Sequence, residues 1–213
     1  MDSRRAESFS DGVFAVAITV LVFNLLPIGD SKTTALTWSV LGAAWPSYFA
    51  YVVTFVTIGI MWLNHHGMLA QISRVDRPLL LLNLLLLLGI VALPFPTALV
   101  AEHLVHRMPP SATVAVVLYG INMMLISVVF GSTWLYVAWH AGELGGSSQL
   151  RRLNWSTLRF TAGNVGYVAG TLIAAFVSPI AGLIIFGAIA FYYILEQLPA
   201  GTEVEDAGSE SQR

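Results

Sequence analysis

Long runs without a single charged side chain divide this sequence, and they limit the folds open to it more than any other feature. A helix needs about 20 apolar residues to cross the hydrocarbon core of a bilayer. The last run, Phe160–Leu195, is 36 residues long, which exceeds one span, and Ser178-Pro179 offers a helix break within it. We therefore expect an all-α membrane protein with six transmembrane helices, two of them in this last run. The other four are expected at Gly12–Gly29, about Trp38–His66, Pro78–Ala101 and Met108–Gly142.

The basic residues lie mostly on one side of the predicted spans. With the N-terminus inside, eight are cytoplasmic and two are external, so the positive-inside rule predicts that both termini are cytoplasmic. The eight are Arg4, Arg5, Arg74, Arg77, Arg151, Arg152, Arg159 and Arg213, and the two are Lys32 and Arg107. We expect a membrane domain over residues 1–198 and a disordered, acidic cytoplasmic tail over residues 199–213, where apolar side chains are too few to form a core.

Composition excludes several functions. Charged residues make up 10% of the chain, against about 25% in a soluble domain. The net charge of −2 and the lack of a basic run argue against nucleic acid as a partner. Without cysteine, thiol catalysis and cysteine-ligated zinc are impossible. No nucleophile elbow, metalloprotease histidine motif or phosphate-binding loop is present. We therefore expect neither an enzyme nor a bound cofactor.

Polar residues crowd the entry to the first apolar run. The segment Arg5–Asp11 contains an arginine, two serines and two carboxylates. In one interpretation, Ser10 or Asp11 caps the first helix, Phe9 packs as a hydrophobic staple, and the arginines set the topology. In the other, the segment is a functional site, because ionisable groups at the edge of a span usually have a specific partner.

A partner for the entry segment is available at the end of the second span. Antiparallel first and second helices bring the start of one to the depth of the end of the other, so Arg5 and Asp11 can reach a histidine there. The pair His65 and His66 shares a helix face with Trp62, although interfacial histidines can equally face lipid headgroups. Adjacent histidines point about 100° apart on a helix, so we expect no metal ion shared by the pair.

A narrow stripe with helical periodicity follows on the first span. It is mostly apolar with one hydroxyl, and is either a packing face or a hydrophobic pore constriction that gates by dewetting. Periodicity does not decide between the two. The stripe consists of Gly12, Val16, Thr19, Val20, Phe23 and Pro27. By contrast, the segment Asn164–Val168 is only superficially similar to the Thr-Val-Gly-Tyr-Gly potassium filter. Its flanks differ, and we expect it inside an ordinary helix where its glycines permit close packing.

These motifs together resemble a bacterial member of the transmembrane protein 175 family of potassium channels. The similarity covers roughly the first hundred residues densely, and the rest mainly through the number of spans. Its elements are Arg5-x-x-x-Phe9-Ser10-Asp11, Gly12-Val-Phe-Ala-Val-Ala-Ile-Thr19, Trp45-Pro-Ser47, Gly59-Ile-x-Trp62-x-Asn-His-His66, Arg74-Val-Asp-Arg77 and Leu93-Pro-Phe-Pro96.

The resemblance implies a six-helix subunit that forms a homotetramer, with the first helix of each subunit lining a central pore. It implies permeation of K⁺ and other monovalent cations across the bacterial inner membrane, without a Thr-Val-Gly-Tyr-Gly filter. The implied pore positions are Val16, Thr19, Val20 and Phe23. The implied structural network at the cytoplasmic end comprises Arg5, Phe9, Ser10, Asp11, Trp62, Asn64, His65 and His66, with K⁺ only in transit and no bound metal.

Two departures from the family pattern bear on the gate. Val16 is smaller than the usual residue at the narrow point, and Phe23 is bulkier, so the tightest ring is expected nearer Phe23. The alternative function is a secondary transporter or proton-coupled carrier, which needs a polar site near the bilayer midplane. Asn83, Asn122 and Asn164 are the only polar residues that favour it.

Overall fold

The computed structural model describes residues 3–25, 37–105, 109–146 and 154–197, and the acidic segment 199–213 lies outside this range. The described chain is all-helical. The helices are α1 (Ser3–Val20, continued by the 3₁₀ segment Leu21–Leu25), α2 (Trp38–Ala43), α3 (Trp45–Leu69), α4 (Arg77–Ala92), α5 (Pro94–Val105), α6 (Pro109–Trp139), α7 (Asn154–Phe176) and α8 (Pro179–Gln197).

Four helical stretches of the described chain are long and apolar enough to cross a membrane, and they match the first four predicted spans. They are Ser3–Leu25, Trp45–Leu69, Arg77–Leu104 and Pro110–Trp139. The predicted break at Ser178-Pro179 is confirmed, because α7 ends and α8 begins there. In the part of the chain whose side chains are described, α7 and α8 contribute shorter apolar helices.

The first helix begins at Ser3, nine residues before the predicted Gly12. The capping interpretation is therefore wrong, since Ser10 and Asp11 lie in the helix interior. Small residues allow the helix to continue upstream: Ser3, Ala6 and Ser10 are buried at helical spacing and extend the packed face beyond the apolar run. The Ser10 hydroxyl donates to the Ala6 carbonyl at 2.8 Å, which is a bond of a mid-helix serine.

Two other predicted boundaries also differ from the structure. The second span begins at Trp45. A separate short helix precedes it, and Thr37 caps that helix by accepting from the Val40 N–H at 3.3 Å. The third span consists of α4 and α5, which meet at Leu93-Pro94. Proline has no N–H to continue the ladder, and the Ile90 carbonyl accepts from Leu93 instead. Leu93 keeps right-handed helical backbone angles, and the Thr97 N–H donates to its carbonyl at 3.1 Å. The proline therefore interrupts the hydrogen bonding of one helical span without separating α4 from α5.

Glycines permit the close packing of α7 against α8, as the sequence predicts. A Cβ at Gly166 would lie 2.8 Å from Ile189 Cδ1, and one at Gly170 would lie 2.6 Å from Phe186 Cε1. The Asn164–Val168 segment is therefore part of a packed helix and not of a re-entrant filter. The main apolar core centres on α6 and includes buried residues of α1, α3, α4, α5, α7 and α8. A smaller core joins the start of α1 to the ends of α3 and α6.

Candidate functional site

Helix α1 has two contrasting faces. One is buried against α3 and α4 and carries Ala6, Ser10, Phe14, Ala17 and Leu21. The other is uncovered and carries all four positions singled out from the sequence. Val16 is 57% exposed, Val20 38% and Phe23 60%, and Thr19 is also exposed. These four side chains therefore do not pack into the core of the chain.

From Gly12 to Phe23, the uncovered face is apolar apart from Thr19. The Thr19 hydroxyl donates to the Val16 carbonyl at 2.9 Å, so its proton is used within the helix and its oxygen still has acceptor capacity towards the open side. Just beyond, the backbone tightens into the 3₁₀ segment that carries Phe23. The Asn24 side chain donates to the Pro94 carbonyl at 3.0 Å, which fixes this end of the first helix to the start of α5.

The opposite end of α1 is fixed to α3 by two polar contacts. The indole N–H of Trp62 donates to Asp11 Oδ1 at 2.8 Å. His66 Nδ1 lies 2.8 Å from Glu7 Oε1, and the Trp62 and His66 rings are 5.9 Å apart. His66 thus pairs with Glu7, whereas Asp11, the expected partner of a histidine, accepts from the tryptophan. One ligand atom each from Glu7, Asp11 and His66 lies within 4.8 Å of the others, so these three could hold a metal ion.

A second, buried network lies behind these contacts. His65 Nε2 is 2.7 Å from Asn83 Oδ1, and Asn83 Nδ2 donates to the Ser10 hydroxyl at 3.0 Å. Since an amide oxygen only accepts, His65 Nε2 is the donor. His65, Ser10 and Asn83 are all buried, so the network links α1, α3 and α4 where unpaired polar groups are costly.

Three residues of the expected network are placed differently. Arg5 is exposed and makes no hydrogen bond or ion pair with any side chain that the structure describes. Phe9 is 55% exposed, so it does not act as a staple within the subunit. The Asn64 side chain donates to the Ile60 carbonyl of its own helix at 3.0 Å.

Glu7 and Asn83 are network members that the sequence interpretation missed. Glu7 precedes Asp11 by one helical turn and so lies on the same face. Asn83 is the single polar residue in the run Leu79–Leu88, and a buried amide needs partners. The spacing of Glu7 and the isolation of Asn83 are both visible in the sequence. The sequence interpretation, however, assigned Asn83 only to a possible transport site.

The motif that precedes α4 has a structural role. Asp76 Oδ1 accepts from the Leu79 N–H at 3.0 Å and caps α4. Its other oxygen accepts from the Tyr136 hydroxyl at 2.5 Å, which joins α4 to α6. Partial burial raises the pKa of Asp76, but the hydrogen bonds from Tyr136 and Leu79 stabilise the charged form and hold the pKa below its usual value.

Comparison with known proteins places this arrangement in a family. The sequence model of the endosomal/lysosomal potassium channel TMEM175 matches residues 5–94, which include the uncovered face and both networks. A potassium channel of Streptomyces collinus is 40% identical over 98% of this chain and 99% of its own length. The chain belongs to the TMEM175 family. A potassium channel of Chamaesiphon minutus is 41% identical over 64% of this TMEM175 chain and 66% of the relative.

A solved structure has the same fold as this TMEM175 chain. The crystal structure of a lysosomal potassium-selective channel TMEM175 homolog from Chamaesiphon minutus superimposes with a TM-score of 0.73. The two chains are 32% identical, and the match covers 91% of this chain and 97% of the other. The resemblance read from the signature motifs is confirmed.

Proposed function

We propose that this TMEM175 chain is one subunit of a homotetrameric, K⁺-permeable channel with six transmembrane helices per subunit. The observation that carries the proposal is the uncovered face of α1. Polar contacts hold this helix at both ends, and its apolar stripe is open. Copies of the stripe from several subunits can therefore surround a shared axis. The described chain shows no side-chain cage for an ion along this face, which supports a pore formed between several subunits.

In the tetramer, the four copies of Val16, Val20 and Phe23 form a hydrophobic constriction. These three rings of apolar side chains exclude water from a narrow pore, so this stretch is the barrier to flow. The exposed hydroxyls of Thr19 supply the only side-chain oxygens in the constriction, and they offer a permeant cation partial replacement of its hydration shell. Phe23 is the bulkiest side chain on the face and sets the narrowest point.

The two networks at the other end of α1 brace the pore helix and do not bind the permeant ion. Their bonds are between protein groups on α1, α3 and α4. We propose a location in the bacterial inner membrane, with both ends of the chain in the cytoplasm. The bacterial relatives and the excess of arginine on one side support this proposal.

The transporter alternative loses much of its support. Asn83 is engaged in the buried network, and Asn122 Nδ2 donates to the Gly89 carbonyl at 3.1 Å. These side chains stabilise helix contacts and do not converge on one polar site. Because the members of this family are ion channels, we propose no enzymatic activity for the chain.

The decisive experiment is ion flux into proteoliposomes that contain the purified protein, with the oligomer mass measured in the same preparation. We expect a tetramer and a K⁺ flux that exceeds the Na⁺ flux without saturating or requiring a proton gradient. A monomer, or a saturating flux driven by a proton gradient, would contradict the channel proposal and favour a carrier.

A further inference from the structure

Three metal-ligating side chains converge at the N-terminal end of α1. Oxygen atoms of Glu7 and Asp11 and a ring nitrogen of His66 all lie within 4.8 Å of one another. We propose that these residues form a binding site for a first-row divalent transition metal such as Zn²⁺ or Ni²⁺. The site is separate from the uncovered α1 face, which no residue of this cluster belongs to.

The fold brings these ligands together from two helices. Glu7 and Asp11 are one turn apart on α1 and therefore share a face, while His66 lies near the end of the antiparallel α3. The Trp62 indole N–H donates to one oxygen of Asp11, which orients the carboxylate; within the described residues, no other hydrogen bond to Asp11 is found. Such outer hydrogen bonds commonly position metal ligands. Glu7 is already 2.8 Å from His66, so this part of the site is assembled.

The donor set selects the class of ion. One imidazole nitrogen with two carboxylates suits Zn²⁺ and its neighbours, whereas Mg²⁺ and Ca²⁺ prefer oxygen ligands alone. Ligand atoms in a tetrahedral zinc site lie roughly 3.4 Å apart, given bonds of about 2.1 Å, so small side-chain rotations complete the site. His66 is 50% exposed, which gives an ion access, and water fills the remaining position. The metal replaces the hydrogen bond between Glu7 and His66.

Neighbouring residues do not compete for this role. His65 points elsewhere, because its Nε2 is bonded to Asn83, so the site uses one histidine of the adjacent pair. A metal held by α1 and α3 together binds only the folded arrangement, and it therefore stabilises the contact between these helices by mass action.

The test is calorimetric titration of tag-free, full-length protein in detergent with ZnCl₂, NiCl₂ and MgCl₂, together with thermal unfolding. We expect saturable binding of one Zn²⁺ or Ni²⁺ per subunit, a raised unfolding midpoint, and no response to Mg²⁺. Glu7→Gln and His66→Gln should each weaken binding at least tenfold. Trp62→Phe should weaken it by a factor on the order of 10–100, as loss of an orienting bond does.

Two further variants complete the design. His103→Gln removes a partly buried histidine on α5 and should leave the titration unchanged. Glu7→His supplies a second imidazole and should bind Ni²⁺ at least as tightly as the wild type, which separates loss of a ligand from loss of folding. The proposal fails if the wild type shows no saturable binding, if Glu7→Gln binds like the wild type, or if Glu7→His loses the response to Ni²⁺.

Discussion

Phe23 presents the largest apolar surface on the uncovered face of α1. Its ring is 60% exposed within the subunit and lies where the α-helix gives way to the 3₁₀ segment. Phe23→Ala should raise K⁺ flux into proteoliposomes severalfold, because a smaller side chain widens the dewetted ring. Phe191→Ala is the matched control, since Phe191 on α8 has a similar exposure of 61% and lies outside the proposed pore. Equal fluxes for the two variants would remove Phe23 from the constriction.

Asn83 shows what a single buried amide contributes. Asn83→Leu leaves Ser10 and His65 without their mutual partner, and an unpaired buried polar group costs about 1–3 kcal/mol. We expect a lower midpoint of thermal unfolding in detergent. Asn122→Leu is a control of the same chemistry that removes one bond to a backbone carbonyl from a partly buried residue, and its midpoint should fall less. The reverse order would refute the structural role of the network.

Periodicity predicts which residues share a face of α1, and the structure leaves that face uncovered; its role as a pore lining stays a prediction. The stripe on α1 is visible in the sequence because a helix repeats every 3.6 residues. The sequence also indicates Asp11 and Trp62, the two partners of one observed hydrogen bond, as members of the network. The partners themselves were harder to predict. Asp11 and Glu7 are equivalent by spacing, so only the relative rotation of α1 and α3 decides that Glu7 meets His66. That rotation is set by packing across the whole interface.

At the scale of elements, apolar runs located the spans but not their ends. The helix start at Ser3 depends on small side chains that pack against the smaller core, and hydropathy does not register such packing. The break between α4 and α5 lies inside a continuous apolar run, where only the prolines mark it. Composition therefore predicts that a segment crosses the membrane, whereas capping and packing determine where its helix begins and ends.

Asp76 links two elements, and this link is sensitive to pH. The carboxylate has a lowered pKa in the folded protein, so its contribution to stability is present above the unfolded-state pKa and is lost as pH falls through the folded-state pKa. Tyr136→Phe removes the hydrogen bond to Asp76 and should lower stability by about 1 kcal/mol near neutral pH. The difference from wild type in thermal unfolding should shrink towards pH 3. A difference that stays constant with pH would assign the effect to packing of the tyrosine ring.

At the scale of the whole molecule, the absence of cysteine makes the proposed assembly directly testable. A single cysteine introduced into this chain can form a disulfide only with another subunit, and the Cα atoms must approach to within about 7 Å. Val16→Cys should therefore yield covalent dimers under mild oxidation in membranes, because four copies of position 16 surround one narrow axis in the proposed tetramer. Val128→Cys is the control, since Val128 is equally exposed, at 59% against 57% for Val16, but lies on α6 and not on the proposed pore helix. Cross-linking at position 128 without cross-linking at position 16 would place a different face of the subunit at the assembly axis and overturn the assignment of α1 as the pore helix.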